Sequence, residues 1–399
     1  MFQVYSRATR SSPLWRNSVR RGALVGGALA LAGCASDALD SADGGGGTIA
    51  VLVSGEALGT DGIPFPPAGE VALRDGWNIR FEHVLATIGE VSLAEDPDTS
   101  PTDASRVGSV VARARGPWAV DLRKAGTEPG AGGEGTATPL VVVTGQTERG
   151  GRPFEYERRY AFGFDLVPAS ESALRVNFTG DEETERAYQE MIEAGYTLYL
   201  VGKATFRGSS CETSDPTYDR SQFPTEVPFR FGFKAPVRYT NCQNQENQGD
   251  AFDDEAFQRG VAVKRNAAAR AQITLHLDHP FYSDVQHEPA LYFDPIAAQL
   301  VGRPEGTGAT LELLKGVDPS AFTDAPGTPL PWNVCDGVAL PPGKQMSFDT
   351  GSVPLSPSSS PADALRDYYD YIHYVTSTLG HLNGGEGLCF VQRNYPSPR

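Results

Sequence analysis

Six histidines occur in the 399-residue chain, and three of them, His276, His279 and His287, fall within the stretch Gln272–Asp294. Imidazole nitrogens and carboxylate oxygens are the donors of zinc, copper and iron sites, and the same stretch carries Asp278 and Asp294. Ile273, Leu275 and Leu277 alternate with Thr274, His276 and Asp278, the period-two pattern of a half-buried strand. That pattern puts His276 and Asp278 on one face about 6.5 Å apart. Metal bonds of roughly 2.0–2.2 Å would let both lean onto one ion. Pro280 has no amide proton and holds His279 extended, so the strand is expected to end there or to lie at a sheet edge, with His287 following a loop.

Two more histidines are candidate ligands from distant parts of the chain. In Trp77–Leu93, Trp77, Ile79, Phe81, His83 and Leu85 share one face opposite Asn78, Arg80 and Glu82, so His83 is expected to point where the aromatic side chains point. An imidazole on an apolar face is more commonly a core group bonded to a backbone carbonyl. His381 lies in a turn that leads to Cys389, and a bridge at that cysteine would hold it in place. The expected metal-ligand set is therefore His276, His279, His287, His83, His381 and Asp278. His373, on the final helix beside Tyr374, is counted as structural.

This set matches no catalytic motif. There is no GxSxG elbow, and an even number of mature cysteines is expected to be bridged, so no catalysis is assigned. Two alternatives stand beside the metal reading. One is a metal-dependent hydrolase with Glu288 as base beside His287. The other is a metal-free structural or recognition protein that binds an envelope protein or a glycan through Tyr218, Phe223, Tyr282 and Tyr292.

The start of the chain reads as an address. Met1–Arg21 holds five arginines and no acid, Gly22–Ala32 is an apolar run too short to span a bilayer, and Leu31-Ala32-Gly33-Cys34 closes it. This ending resembles the lipobox of bacterial lipoproteins, and the resemblance implies a signal peptide over 1–33 and Cys34 as the lipidated residue carrying palmitate or a related acyl chain. Ala35 after that cysteine implies the outer membrane of the cell envelope. Arg20-Arg21 also suggests twin-arginine export, although Val19 stands where that signal has Ser or Thr. Residues 34–47 then form a flexible Gly- and Asp-rich tether. The chain carries 34 basic and 50 acidic side chains, net −16, and loss of the five leader arginines takes it to −21. Such a surface repels nucleic acid.

Short alternating strands, about two helices, 44 glycines and 30 prolines point to a mainly β fold, a large elaborated antiparallel β-sandwich with long loops, as one domain over 48–399. Glu182–Ala194 is expected as a helix stopped by Gly195. A C-terminal helix near 361–379 is expected to be capped by Ser360. An excursion near 207–250 is expected to be braced by a disulfide. Cys211–Cys242 and Cys335–Cys389 are the expected pairs because each closes a local, turn-rich segment.

The run Trp77–Leu93 followed by Pro117–Leu122 resembles, in hydrophobic pattern, the early strands of exported bacterial β-rich metal-binding proteins, such as the periplasmic copper-binding proteins associated with methanobactin uptake. The resemblance implies a transition metal as cofactor and assigns no ligand.

Overall fold

Alternating and β-branched runs become strands that assemble into two main sheets. The computed structural model describes residues 47–393 apart from 69–70, 134, 209, 248, 250, 254, 266, 286–288 and 352–364. The smaller sheet has five strands in the order Gly380–Leu382, Ala269–Leu275, Ile49–Ser54, Thr136–Val143 and Glu128–Pro129. The larger has ten and is built on the 18-residue strand Trp77–Ala94. That strand pairs through its first half with Leu198–Phe206, and through its second with Val110–Asp121 on one side and Arg159–Leu166 on the other. Pairing is mostly antiparallel, as expected. A notable exception is Ile49–Ser54, which runs parallel to Ala269–Leu275.

The two sheets share one core. Ile49, Val51, Val53, Ile273 and Leu275 of the smaller sheet meet Trp77, Ile79, Val84, Phe162, Phe229 and Phe231 of the larger, all buried. Burial of large apolar side chains, each worth roughly 1.5–3 kcal/mol, is the main force holding the sandwich closed. The opposite face of the larger sheet is covered by the helix Glu182–Ala194, whose Ala187, Tyr188 and Met191 pack on Leu85, Tyr199 and Val201. Asp181 caps this helix by accepting from the Thr184 amide, and Gly195 ends it in the left-handed conformation.

Three expectations are corrected. A register shift between Phe81 and His83 leaves Glu82 as an extra residue, so the side-chain alternation inverts there. Trp77, Ile79, Phe81, Val84 and Ala86 face the main core, whereas Leu85 faces the helix-covered side. His83 thus shares a face with Leu85 and not with Trp77.

The C-terminal helix spans Tyr368–Thr376 and is capped by Asp367, which accepts from the Asp370 amide. The extended backbone of Asp367 stops the helix from reaching back to residue 366. Ser360 and Pro361 lie outside the described residues.

The disulfides are Cys211–Cys335 and Cys242–Cys389, not the local pairs. Strand register is the reason. Thr213 and Glu212 pair with Asn333 and Val334, which brings the next residues on each strand, Cys211 and Cys335, together. Thr240 pairs with Phe390, and past Asn241, whose backbone is left-handed with φ of 51°, Cys242 reaches Cys389. Each bridge therefore staples a long-range pairing, across sequence separations of 124 and 147 residues.

Peptide mapping without reduction should recover the 211–335 and 242–389 cross-links, and a 211–242 cross-link would contradict this register. Replacing both Cys242 and Cys389 with alanine should lower unfolding free energy by about 2–5 kcal/mol in denaturant melts, since the bridge closes a long loop.

Candidate metal centre

The site forms at one end of the smaller sheet. Because Ile49–Ser54 and Ala269–Leu275 run parallel with Ser54 opposite Thr274, both strands release their chains at the same end, one into Gly55-Glu56 and the other into His276. On the far side of Ala269–Leu275, His381 sits opposite Thr274. Paired residues in a ladder point to the same face, and so do residues two apart on one strand, so His276 and His381 are delivered side by side. Their rings lie 4.8 Å apart.

Beyond Asp278 the chain folds into a short 3-10 turn, His279–Phe281, with Pro280 in its first turn. This turn replaces the extended conformation expected at His279. It returns the His279 ring to 5.9 Å from His276 and 5.7 Å from His381. One donor nitrogen from each of the three rings lies within 4.8 Å of the others.

Hydrogen bonds set the ring tautomers. His381 Nδ1 is 2.9 Å from the Gly387 carbonyl, which can only accept, so Nδ1 carries the proton and Nε2 carries a lone pair. That Nε2 is buried and has no hydrogen-bond partner. His279 Nδ1 is 3.1 Å from the Val375 carbonyl and 2.9 Å from Thr378 Oγ1, which itself donates to the same carbonyl. The proton of His279 is again on Nδ1, and Nε2 is left as the donor atom for a metal. Locking one ring nitrogen to a backbone carbonyl while freeing the other is the usual arrangement around metal-ligating histidine.

The surroundings are electrostatically asymmetric. Burial pulls His279 well below the ordinary imidazole pKa, with the neighbouring His381 and His276 adding to it. Burial, again with His276 adding, pushes His381 down to about 3. Both rings are therefore neutral at physiological pH, the form that binds metal. Two carboxylates flank them. Glu56 lies 3.0 Å from His276 Nε2, and Asp278 Oδ1 lies 3.9 Å from His276 Nδ1. Burial raises the pKa of Asp278, and its Oδ1 has no hydrogen-bond partner. Together the two carboxylates could balance the charge of a buried dication, which would otherwise be costly to desolvate.

Tight packing fixes this geometry. A Cβ on Gly385 would fall 1.9 Å from His276 Nε2 and Cε1, so only glycine lets the loop after His381 close over that ring. Glu56 and Asn383, at the two chain ends that enter the site, both have left-handed backbones, with φ of 56°. Such strain persists only where surrounding structure enforces it. Asn383 is held by accepting from the Gln272 amide and donating to Asn244 Oδ1. Glu56 is held by its amide, which donates to Ser54 Oγ.

Of the expected ligands, His276, His279 and His381 converge. Asp278 stays beside His276 as a flanking carboxylate. His83 does not join them; it binds Asp121 Oδ2 at 3.3 Å in a separate polar pocket lined by Arg123, Lys124 and Asp181. The bulge at Glu82 turns it to that side. His287 and Glu288 lie outside the described residues, as does Cys34. Asp294 is fully buried in a two-pronged ion pair with Arg220 and accepts from Trp77 Nε1. The four aromatic residues of the recognition alternative are not exposed: Tyr292 is buried, and Tyr218, Phe223 and Tyr282 pack partly against the core. Tyr282 stacks on His279 at 4.3 Å.

Glu56 was not anticipated. Its only signal was an acid placed directly after the wholly apolar run Ile49–Val53, and nothing local linked it to His276, 220 residues away.

Comparison of the chain with protein-family models, with curated proteins and with solved structures finds no match. Among the described residues, no helix is long and apolar enough to cross a membrane.

Because His279 and His381 have lowered pKa values when folded, the unfolded chain takes up their protons first. Their contribution to stability is complete above about pH 6.5 and is lost as pH falls below it, at about 1.4 kcal/mol per pH unit for each group. The raised Asp278 acts in the opposite sense and recovers stability only at lower pH, as it too becomes protonated. Urea melts of the metal-free protein should therefore show stability falling between pH 7 and 5, with a shallower fall in His381→Asn. A flat profile in both proteins would contradict the assignment.

Proposed function

We propose that this protein binds one transition-metal ion through His276, His279 and His381, and that it does so as an exported, lipid-anchored protein of the cell envelope. The observation that carries the metal reading is the convergence of three imidazole nitrogens within 4.8 Å, with the Nδ1 protons of His279 and His381 already committed elsewhere. A buried acceptor with no hydrogen-bond partner, His381 Nε2, is costly unless something binds it, and a metal satisfies it together with its two neighbours.

Imidazole donors suit zinc, copper and iron, and three of them leave coordination positions for solvent or for Asp278. Glu56, accepting from His276 Nε2–H, would orient that ring. The reading assigns binding and no reaction. The envelope location rests on the arginine-rich start, the short apolar run and Cys34.

Elemental analysis of the protein purified from its native envelope should find about one zinc, copper or iron per chain. A folded His279→Ala, His381→Ala variant prepared alongside should carry none. Equal metal content in the two would remove this site. In calorimetric titrations of the metal-free protein, Glu56→Gln should weaken binding by about 10–100-fold, as removing the partner of a ligating histidine generally does.

A further inference from the structure

A second site stands apart from the histidine cluster, between the helix Tyr368–Thr376 and the larger sheet. It is a cavity of about 620 Å³. Leu166, Leu198, Phe233 and Val237 of the sheet and Tyr369 and Tyr374 of the helix give it mainly apolar walls. Its size and lining are those of a small-molecule pocket, in which a few polar groups choose the ligand.

Those polar groups are specific. Tyr239 lines the cavity fully buried, and its hydroxyl has no hydrogen-bond partner. A Cβ on Gly380 would lie 2.6 Å from the Tyr239 ring, so glycine there is what admits the phenol at that position. Thr376 Oγ1 and His373 Nε2, also in the lining, are buried without partners. His373 Nδ1 donates to the Tyr369 carbonyl, which leaves Nε2 an acceptor. Arg393 closes one side. Its Nε donates to Ser377 Oγ at 2.6 Å, and its guanidinium lies 4.0 Å from the centre of the Tyr374 ring.

Among the described residues no carboxylate pairs with Arg393, and burial lowers its pKa. The neighbouring acids are already engaged. Asp370 pairs with Arg366, and Asp367 caps the helix and accepts from the Gly316 amide. Arg393 lies close enough to Tyr239 to oppose the rise that burial imposes on the phenol's pKa. A guanidinium with no carboxylate partner among the described residues and a buried hydroxyl without a partner thus line the same apolar chamber, Arg393 pairing with Val237 two residues from Tyr239.

We infer that this cavity binds a small amphipathic carboxylate, with the head group on Arg393 and the Tyr239 hydroxyl and the apolar body between Phe233, Leu198 and the helix. The planar fork of Arg393 matches a carboxylate, and the apolar walls reject a fully hydrated anion.

The test is calorimetric titration of the full metal-free chain with decanoate and, separately, with decanol. Decanoate should saturate one site and bind at least about ten-fold more tightly than decanol, because only the acid offers a charged acceptor. Arg393→Gln should remove that preference and leave decanol binding unchanged. Tyr239→Phe should weaken decanoate alone, and Ala235→Trp, which fills the cavity, should abolish both. Absence of saturable decanoate binding would overturn the inference, as would equal affinity for acid and alcohol in the wild-type chain. Binding that appears only when the chain is ended at Arg393 would assign the cavity to the protein's own C-terminal residues and would overturn it as well.

Discussion

The parallel pairing of Ile49–Ser54 with Ala269–Leu275 is the constraint from which the candidate centre follows. Antiparallel neighbours would send the two chain ends to opposite edges of the sheet. Parallel ones release them together, which is why Glu56 and His276 meet across 220 residues of sequence. His381, delivered in register on the other side of the same strand, completes the row. The apolar alternation of Ile273 and Leu275 holds this register, since a one-residue slip would turn both side chains out of the core.

Two neutral, buried imidazoles, His279 and His381, set against His276 are an expensive arrangement for a protein with no use for it. Burial keeps protons off His279 and His381, and the Val375 and Gly387 carbonyls bind the ring hydrogens that remain. The result is a set of lone pairs beside two carboxylates. The segment Val375–His381 also reaches the other cavity. Val375 and Thr378 hold His279 on one side, while Thr376, Ser377 and Leu379 line the 620 Å³ chamber on the other. The two sites share a wall although their chemistries differ.

Much of this was legible in the residues alone. Alternation identified a strand at Ile273–Asp278, found as Ala269–Leu275, another at Trp77–Leu93, found as Trp77–Ala94, and a helix at Glu182–Ala194, because burial of one face dictates the period. His276 and His279 stood close in sequence, and His381 was a candidate from the turn before Cys389, but its place beside them came from strand pairing. What escaped is everything that depends on long-range register. The bulge at Glu82, a single extra residue, moved His83 to another face and gave it Asp121 as partner. The cysteines joined across distant strands, because pairing geometry and not loop length set which sulfurs met. Glu56 could not be linked to His276 without knowing that two strands run side by side. Asp278 shares a neighbourhood with His276 by sequence spacing, but the 3-10 turn that follows makes His279 the third member of the cluster.

The centre depends on His279 and His381 each presenting an unprotonated Nε2 to the same ion. Nitrogen NMR of imidazole-labelled, metal-free protein at neutral pH reads this directly. Both rings should appear as neutral Nδ1–H tautomers that resist protonation as pH falls to about 5, with their Nε2 resonances moving together on addition of one equivalent of Zn²⁺. Either ring found as the Nε2–H tautomer, or both titrating near the ordinary imidazole value and indifferent to the metal, would contradict it.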